Sequence, residues 1–190
     1  YSKYTPVSST RYSLPGDFGF PTQLFYLDRC FMASRFKVES GKELVLINTH
    51  NEAFDAGGNI RKAQMESLKE FILNEYKSGN YVIVGGDWNQ YPPDFMPDFP
   101  ANKSFTGIVG NFNLTGIESD YMPVEWEWLY DQTTPSVRTL MAPYDPAETP
   151  TSICDIFLIS PNIESVYTKC HHLGFTNSDH NPVIIQVMLE

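Results

Sequence analysis

The chain has 190 residues, 13 Lys+Arg against 23 Asp+Glu, and a formal net charge of -10. That is one domain's length, and 42% hydrophobic with 14% aromatic residues supplies a core that a disordered chain lacks. No apolar run approaches the roughly 18 residues of a membrane-spanning helix, no charged-then-apolar leader opens the sequence, and the acidic balance argues against a basic groove for nucleic acid.

Residues 1–23, rich in Ser, Thr, Tyr, Pro and Gly, read as an irregular lead-in. Leu24, Phe25, Tyr26, Phe31, Met32 and Phe36 are short strand material within 24–38. Ser40-Gly41-Lys42 reads as a hairpin turn into Leu44-Val45-Leu46-Ile47, a run suited to a strand buried on both faces. Residues 59–77 predict the clearest helix: Asn59 stands at the N-cap, Ile60, Ala63, Leu68, Phe71, Ile72 and Tyr76 recur at helical spacing, and Gly79 follows the end. Tyr81-Val82-Ile83-Val84 predicts a second buried strand, ending in Gly85-Gly86. Strand, helix, strand is a crossover and implies parallel neighbours.

Residues 91–150 hold nine of the fourteen prolines and predict long surface excursions with a short helix near 120–130. Strands return at 153–159 and 182–189. The three cysteines, Cys30, Cys154 and Cys170, form no CxxC pair, and read as buried free thiols or, at most, one disulfide. Trp126 and Trp128 are open to two uses, stacking on a substrate ring or burial under the proline-rich loop. His171 and His172 are adjacent on a strand, point oppositely and are not expected to share an ion. Asn102-Lys103-Ser104 and Asn113-Leu114-Thr115 match the glycosylation sequon.

The polar residues concentrate at strand ends. The first buried strand runs into Asn48-Thr49-His50, the second into Gly86-Asp87-Trp88-Asn89. Asp155 stands near the start of the third, and Ser178-Asp179-His180-Asn181 precedes the fourth. If the last two strands run antiparallel to the first two, two histidines, three aspartates and an asparagine meet on one sheet edge. Aspartates without thiolates suit a hard cation, Mg²⁺ or Mn²⁺, able to neutralise a phosphate that the acidic chain would repel. A histidine paired with an aspartate is held in one tautomer and stays cationic beside developing negative charge.

This ordered set resembles the endonuclease/exonuclease/phosphatase superfamily, with its deoxyribonuclease I-like fold. Asn48-Thr49-His50 is similar to its NTH motif, Arg61 and Gln64 to the R..Q positions of the next helix, and Gly86-Asp87-Trp88-Asn89 to GDxN. Ile153-Cys154-Asp155-Ile156-Phe157 resembles its I-D-Y-I-F strand, and Ser178-Asp179-His180-Asn181-Pro182-Val183 its SDHxPV motif. The resemblance spans residues 44–189. It implies an α/β fold, α+β in some schemes: part of a four-layer β-sandwich with a mixed sheet and outer helices. It implies catalytic roles for His50, Asp87, Asn89, Asp155 and His180, substrate contacts at Asn48 and, from its loop, Arg138, and metal binding at Asp179 and Asp87. The implied reaction is metal-dependent hydrolysis of a phosphodiester or phosphomonoester by in-line attack of water. Acidic composition tilts the substrate from duplex DNA toward a small molecule or lipid head group.

The family's earlier strands carry an Asn and a metal-binding Glu. Only 47 residues precede Asn48, and none is a counterpart: Glu39 and Glu43 read as solvated hairpin charges, and Asp17 and Asp28 lack motif context. The expectation is therefore a single domain over 1–190, truncated at its front and, without that Glu, inactive alone, whose partner is the missing segment of its own chain. An exposed apolar face, and a dimer that covers it, are expected with it. The alternative is a binding module on the same scaffold with catalysis lost.

Overall fold

The computed structural model describes residues 2–16, 19–21, 24, 27–39, 41–55, 58–95, 114–140 and 142–190. Asp17, Phe25, Tyr26, Ser40 and both sequon asparagines, Asn102 and Asn113, lie outside these residues. The described elements are, in order, β1 (Ser8–Ser13), β2 (Cys30–Lys37), β3 (Glu43–His50), α1 (Asn59–Lys77), β4 (Tyr81–Asp87), β5 (Gln90–Tyr91), β6 (Thr115–Gly116), β7 (Glu127–Leu129), β8 (Val137–Arg138), β9 (Thr151–Ser152), β10 (Asp155–Ile159), β11 (Ile163–Cys170) and β12 (Val183–Leu189).

A mixed six-stranded sheet has the order β1-β2-β3-β4-β10-β7. β2 and β3 form the expected hairpin, closed at Gly41, whose φ of +78° a larger residue would resist. β3 and β4 pair in parallel across the helical crossover, and β10 returns antiparallel to β4. The lead-in reading of 1–23 is corrected at β1, which pairs antiparallel with β2. Five of its six residues are exposed, so this edge strand needed no apolar alternation and its polar sequence hid it. Tyr12 is its inward residue, stacked on Phe31 at 4.9 Å.

α1 occupies the expected residues, but Asn59 is its first helical residue and not its cap. Left-handed Gly58 precedes it, and the Asp55 carboxylate accepts the Arg61 backbone N–H at 2.9 Å. The far end closes on Gly79, where Gly79 N–H donates to Tyr76 O and Asn80 N–H to Glu75 O. The buried face is Arg61, Gln64, Met65, Leu68 and Ile72, whereas Ala63 is exposed. Two polar residues are tolerated there because they bind backbone. Gln64 joins Glu52 N–H (2.8 Å) to Pro15 O (2.8 Å), and Arg61 Nη1 donates to Glu52 O at 3.0 Å.

The sheet buries both faces, and period-two alternation sorts its side chains. Val45, Ile47, Val82, Val84, Ile156 and Leu158 join Leu68 and Ile72 of the helix in one core. Leu44, Leu46, Tyr81, Ile83, Phe157 and Ile159 pack on the opposite face against Ile163, Ile185 and Val187. Those last three belong to the antiparallel β11–β12 hairpin. β11 is absent from the sequence reading, because Glu164, Ser165 and Lys169 interrupt its apolar positions and a bulge lies between Ser165 and Tyr167. Helix, sheet and hairpin thus form three layers, with one helix among the described residues where outer helices were expected. The hairpin's outer face leaves Val166, Ile184 and Met188 about half exposed.

The helix expected near 120–130 does not form. Single turns, Tyr121 N–H to Glu118 O and Trp126 N–H to Pro123 O, lead into β7 instead, and Tyr121, Met122 and Trp126 enter the helix-side core. Trp126 lies edge-on to Tyr76 and Trp128 edge-on to Trp88, so packing accounts for both tryptophans. All three cysteines are free thiols. No helix among the described residues is long and apolar enough to cross a membrane.

Candidate active site

The register of three adjacent strands sets the site. His50 of β3 lies opposite Asp87 of β4, and Asp87 lies opposite Asp155 of β10. By alternation, His50 shares its face with Leu44 and Leu46, Asp87 with Tyr81 and Ile83, and Asp155 with Phe157 and Ile159. The apolar layer between sheet and hairpin therefore ends in a polar row, one residue per strand. His180, just before β12, reaches that row from the hairpin side. Its Nδ1 is 2.7 Å from Asp155 Oδ2, and its Nε2 is 3.8 Å from Asp87 Oδ2 and 3.9 Å from Asp179 Oδ2. His50 Nε2 approaches the same Asp87 oxygen at 3.4 Å.

Local backbone explains why these side chains converge. At Gly86 the φ is +153°, and a Cβ there would lie 1.9 Å from Thr49 O, so only glycine lets β3 and β4 close up beside the site. Trp88 is fully buried under the strand ends, its N–H donating to Cys154 O (2.9 Å) and its indole Nε1 to Ile156 O (3.0 Å). Asn89 takes a left-handed φ of +50°, which turns its N–H onto Asp87 Oδ1 (2.9 Å) and its Nδ2 onto Asn51 O (2.8 Å).

Two positioning residues escaped the sequence reading. Ser136 Oγ donates to Asp155 Oδ2 at 2.7 Å and accepts the N–H groups of Cys154 (3.2 Å) and Asp155 (3.1 Å). Asn181 is buried, its Nδ2 donating to Pro135 O (3.0 Å), its Oδ1 accepting Leu173 N–H (3.0 Å) and its own N–H bonding Ser136 O (2.7 Å). Together they tie the loop before β8 to Asp155 and His180. Ser136 carries no motif. Asn181 sits inside SDHN, where the neighbouring His180 drew attention away from it. Buried Glu52, paired with Arg29 at 3.4 Å, also lies beside this end of β3 without a motif to mark it.

The two histidines are driven apart in charge. Burial disfavours the His180 cation, but the Asp155 hydrogen bond and the charges of Asp155, Asp87 and Asp179 outweigh it and raise the pKa to about 9. His50 is held below the ordinary histidine range by burial, Arg29 and His180, against the pull of Asp87. Burial and the Asp155 charge push the Asp87 carboxyl up, against both histidines. The Cys154 thiol, fully enclosed, is pushed up by burial and by the same two carboxylates. Divergent neighbours of this kind divide acid and base roles between chemically similar groups.

Of the other expected residues, Asn48 is exposed on the site's face, opposite Gly85, and Asp179 stands one residue before His180. The Arg138 guanidinium donates to Thr139 O (2.8 Å) and Ala142 O (3.3 Å), apart from Asp87, Asp155 and His180. What it gives the site is backbone, its N–H holding Asp179 O at 2.9 Å. Glu39 is exposed on the turn, as expected, and Asp28 is exposed; Glu43, expected as a solvated charge, is half-buried and paired with Arg35 at 2.9 Å.

Compared with known proteins, the chain has the deoxyribonuclease I-like fold, matching structures of endonuclease/exonuclease/phosphatase proteins. It is similar to the catalytic domain of human Nocturnin, at 15% identity and a TM-score of 0.56, over 98% of this chain and 60% of that one. An endonuclease/exonuclease/phosphatase family protein from Bacteroides thetaiotaomicron matches at 15% identity and 0.58, over 98% and 66%. ANGEL2, a 2',3'-cyclic phosphatase solved with adenosine-2',3'-vanadate, matches at 14% identity and 0.59, over 100% and 69%. The chain spans about 60–66% of the first two structures. No family model and no curated protein matches the sequence.

Proposed function

We propose that this chain is a phosphoesterase that hydrolyses a phosphodiester or phosphomonoester with the aid of Mg²⁺ or Mn²⁺. The observation that carries the reading is the in-register row His50, Asp87, Asp155, closed by His180 through a 2.7 Å bond to Asp155. Asn89 N–H holds Asp87 Oδ1, and the Ser136 hydroxyl holds Asp155 Oδ2.

In this reading His180 is the electrostatic element. Asp155 accepts a hydrogen bond from Nδ1–H and keeps the ring cationic and oriented, so a charged Nε2–H faces Asp87 and the open edge, where it stabilises an oxyanion on phosphorus. Asp87, raised in pKa and carrying a free oxygen lobe toward both rings, orients the attacking water and takes its proton. Neutral His50 steadies that water or the leaving oxygen. Asn89 locks Asp87 through its backbone N–H and presents its remaining amide proton to a phosphoryl oxygen, and Asn48 contacts substrate from the rim.

A hard cation fits the donor set. Asp87 and Asp179 each place an oxygen within 4 Å of the same His180 nitrogen, and such a cation takes one or two carboxylates with water and substrate phosphate for the rest. Bound there, it would neutralise phosphate charge and polarise the phosphoryl oxygen. With a net charge of -10, the preferred substrate in this reading is a small phosphoester or lipid head group. The test is hydrolysis of bis(p-nitrophenyl) phosphate and p-nitrophenyl phosphate with Mg²⁺, with Mn²⁺ and with EDTA, beside a duplex DNA arm. The expected result is turnover of a small ester that EDTA abolishes; turnover indifferent to EDTA removes the metal from the proposal, and vanadate binding without turnover favours the binding-module alternative.

A further inference from the structure

Cys154 is the one chemically soft group at a site otherwise built from oxygen and nitrogen donors, and the proposed hydrolysis makes no use of it. It precedes Asp155 on the strand, and its thiol is enclosed with Leu114 and Val137 on one side. On the other side it meets the site. One ligand atom each from Asp87, Cys154 and His180 lies within 4.8 Å of the others. A weak S–H contact to Asp155 Oδ2, at 3.7 Å, orients the thiol toward the same centre.

We propose that Asp87, Cys154 and His180 form a binding site for a thiophilic divalent cation, Zn²⁺ or Cd²⁺, distinct in chemistry from the hard-cation site. Three features support it. The ligand types are those of tetrahedral zinc, one sulfur, one imidazole nitrogen and one carboxylate oxygen, with the fourth position open to water or a phosphate oxygen. His180 is prepared as a ligand, because Asp155 holds Nδ1 at 2.7 Å and leaves Nε2 facing Asp87. A carboxylate behind a ligating histidine is the usual outer-shell partner of such centres. The sulfur makes the selection: Mg²⁺ gains nothing from a thiolate, whereas a soft cation gains its strongest bond.

Binding forms the metal–sulfur and metal–nitrogen bonds and releases two protons to water, the Cys154 thiol proton and the Nε2 proton of His180. It also engages His180 Nε2 and Asp87, the two atoms on which the proposed hydrolysis depends. If that reading holds, the soft cation is an inhibitor competing with Mg²⁺. The binding claim does not depend on it.

The experiment is therefore read without activity. Metal-free protein is titrated with Cd²⁺ while the thiolate-to-cadmium ultraviolet absorption is recorded, with calorimetry giving affinity. The wild type is expected to saturate at one equivalent. C154A should lose the absorption and bind at least tenfold more weakly, and C30A and C170A should leave both unchanged. H180Q alters a part-exposed ring outside the apolar core, and it should weaken binding at least tenfold with Cys154 intact. This second variant decides the matter if C154A fails to fold. Absorption that survives in C154A, that needs Cys30 or Cys170, or that is as tight in H180Q overturns the proposal.

Discussion

Removing the charge of Asp155 by D155N gives the most quantitative access to the site. Its Oδ2 accepts His180 Nδ1 and the Ser136 hydroxyl, each at 2.7 Å. An amide keeps the size of the side chain but removes the negative charge. With the carboxylate, His180 rises from 6.5 to about 9; without the Asp155 charge, burial is opposed only by Asp87 and Asp179 and the pKa of the ring falls. At pH 7.5, where the wild-type ring is almost fully cationic, the charged fraction of His180 then falls. The assay is a nuclear magnetic resonance titration of the His180 ring, with H180A to assign it. Folding should respond with a definite sign. A folded-state pKa raised above the unfolded value stabilises fully below pH 6.5, and this contribution is lost as pH rises through about 9. Wild type should thus lose on the order of 1–2 kcal/mol over that window, after allowance for the part-exposed ring, and D155N should lose less across it. A wild-type His180 that titrates near 6.5, or one unmoved by D155N, refutes the electrostatic argument.

Gly86→Ala should abolish cooperative folding or lower the melting temperature sharply, since its Cβ would lie 1.9 Å from Thr49 O; a melting curve matching wild type contradicts that close approach. Asn181→Ala leaves Pro135 O and Leu173 N–H without their partners, and should cost about 2–3 kcal/mol in denaturant unfolding. A loss below 0.5 kcal/mol, a threshold about the size of ordinary surface effects, means that this loop is held otherwise.

The candidate site was legible because its residues stand at or beside the ends of strands, three of them with apolar runs that announce themselves. Leu44 to Ile47, Tyr81 to Val84 and Ile156 to Ile159 specify three buried strands, and parity along them places His50, Asp87 and Asp155 on one face. What escaped lacks such a signature. β1 is a polar edge held by backbone pairing, and β11 alternates apolar and charged positions around a bulge. Arg61 and Gln64 are buried because both hydrogen-bond loop backbone, a tertiary cause invisible in helical spacing. Ser136 acts across 19 residues of proline-rich loop. Arg138 was expected at the site from the family resemblance, and its guanidinium is held by the carbonyls of Thr139 and Ala142.

The central claim, that the Asp87 and His180 pair hydrolyses a phosphoester, meets its most direct test in kcat/KM for bis(p-nitrophenyl) phosphate with Mg²⁺, in wild type, D87N and H180A. General-base and electrostatic contributions of this kind are each worth roughly 10²- to 10⁴-fold. The account predicts losses of at least about a hundredfold in both variants, with melting temperatures close to wild type. Variants that turn over as fast as wild type contradict it.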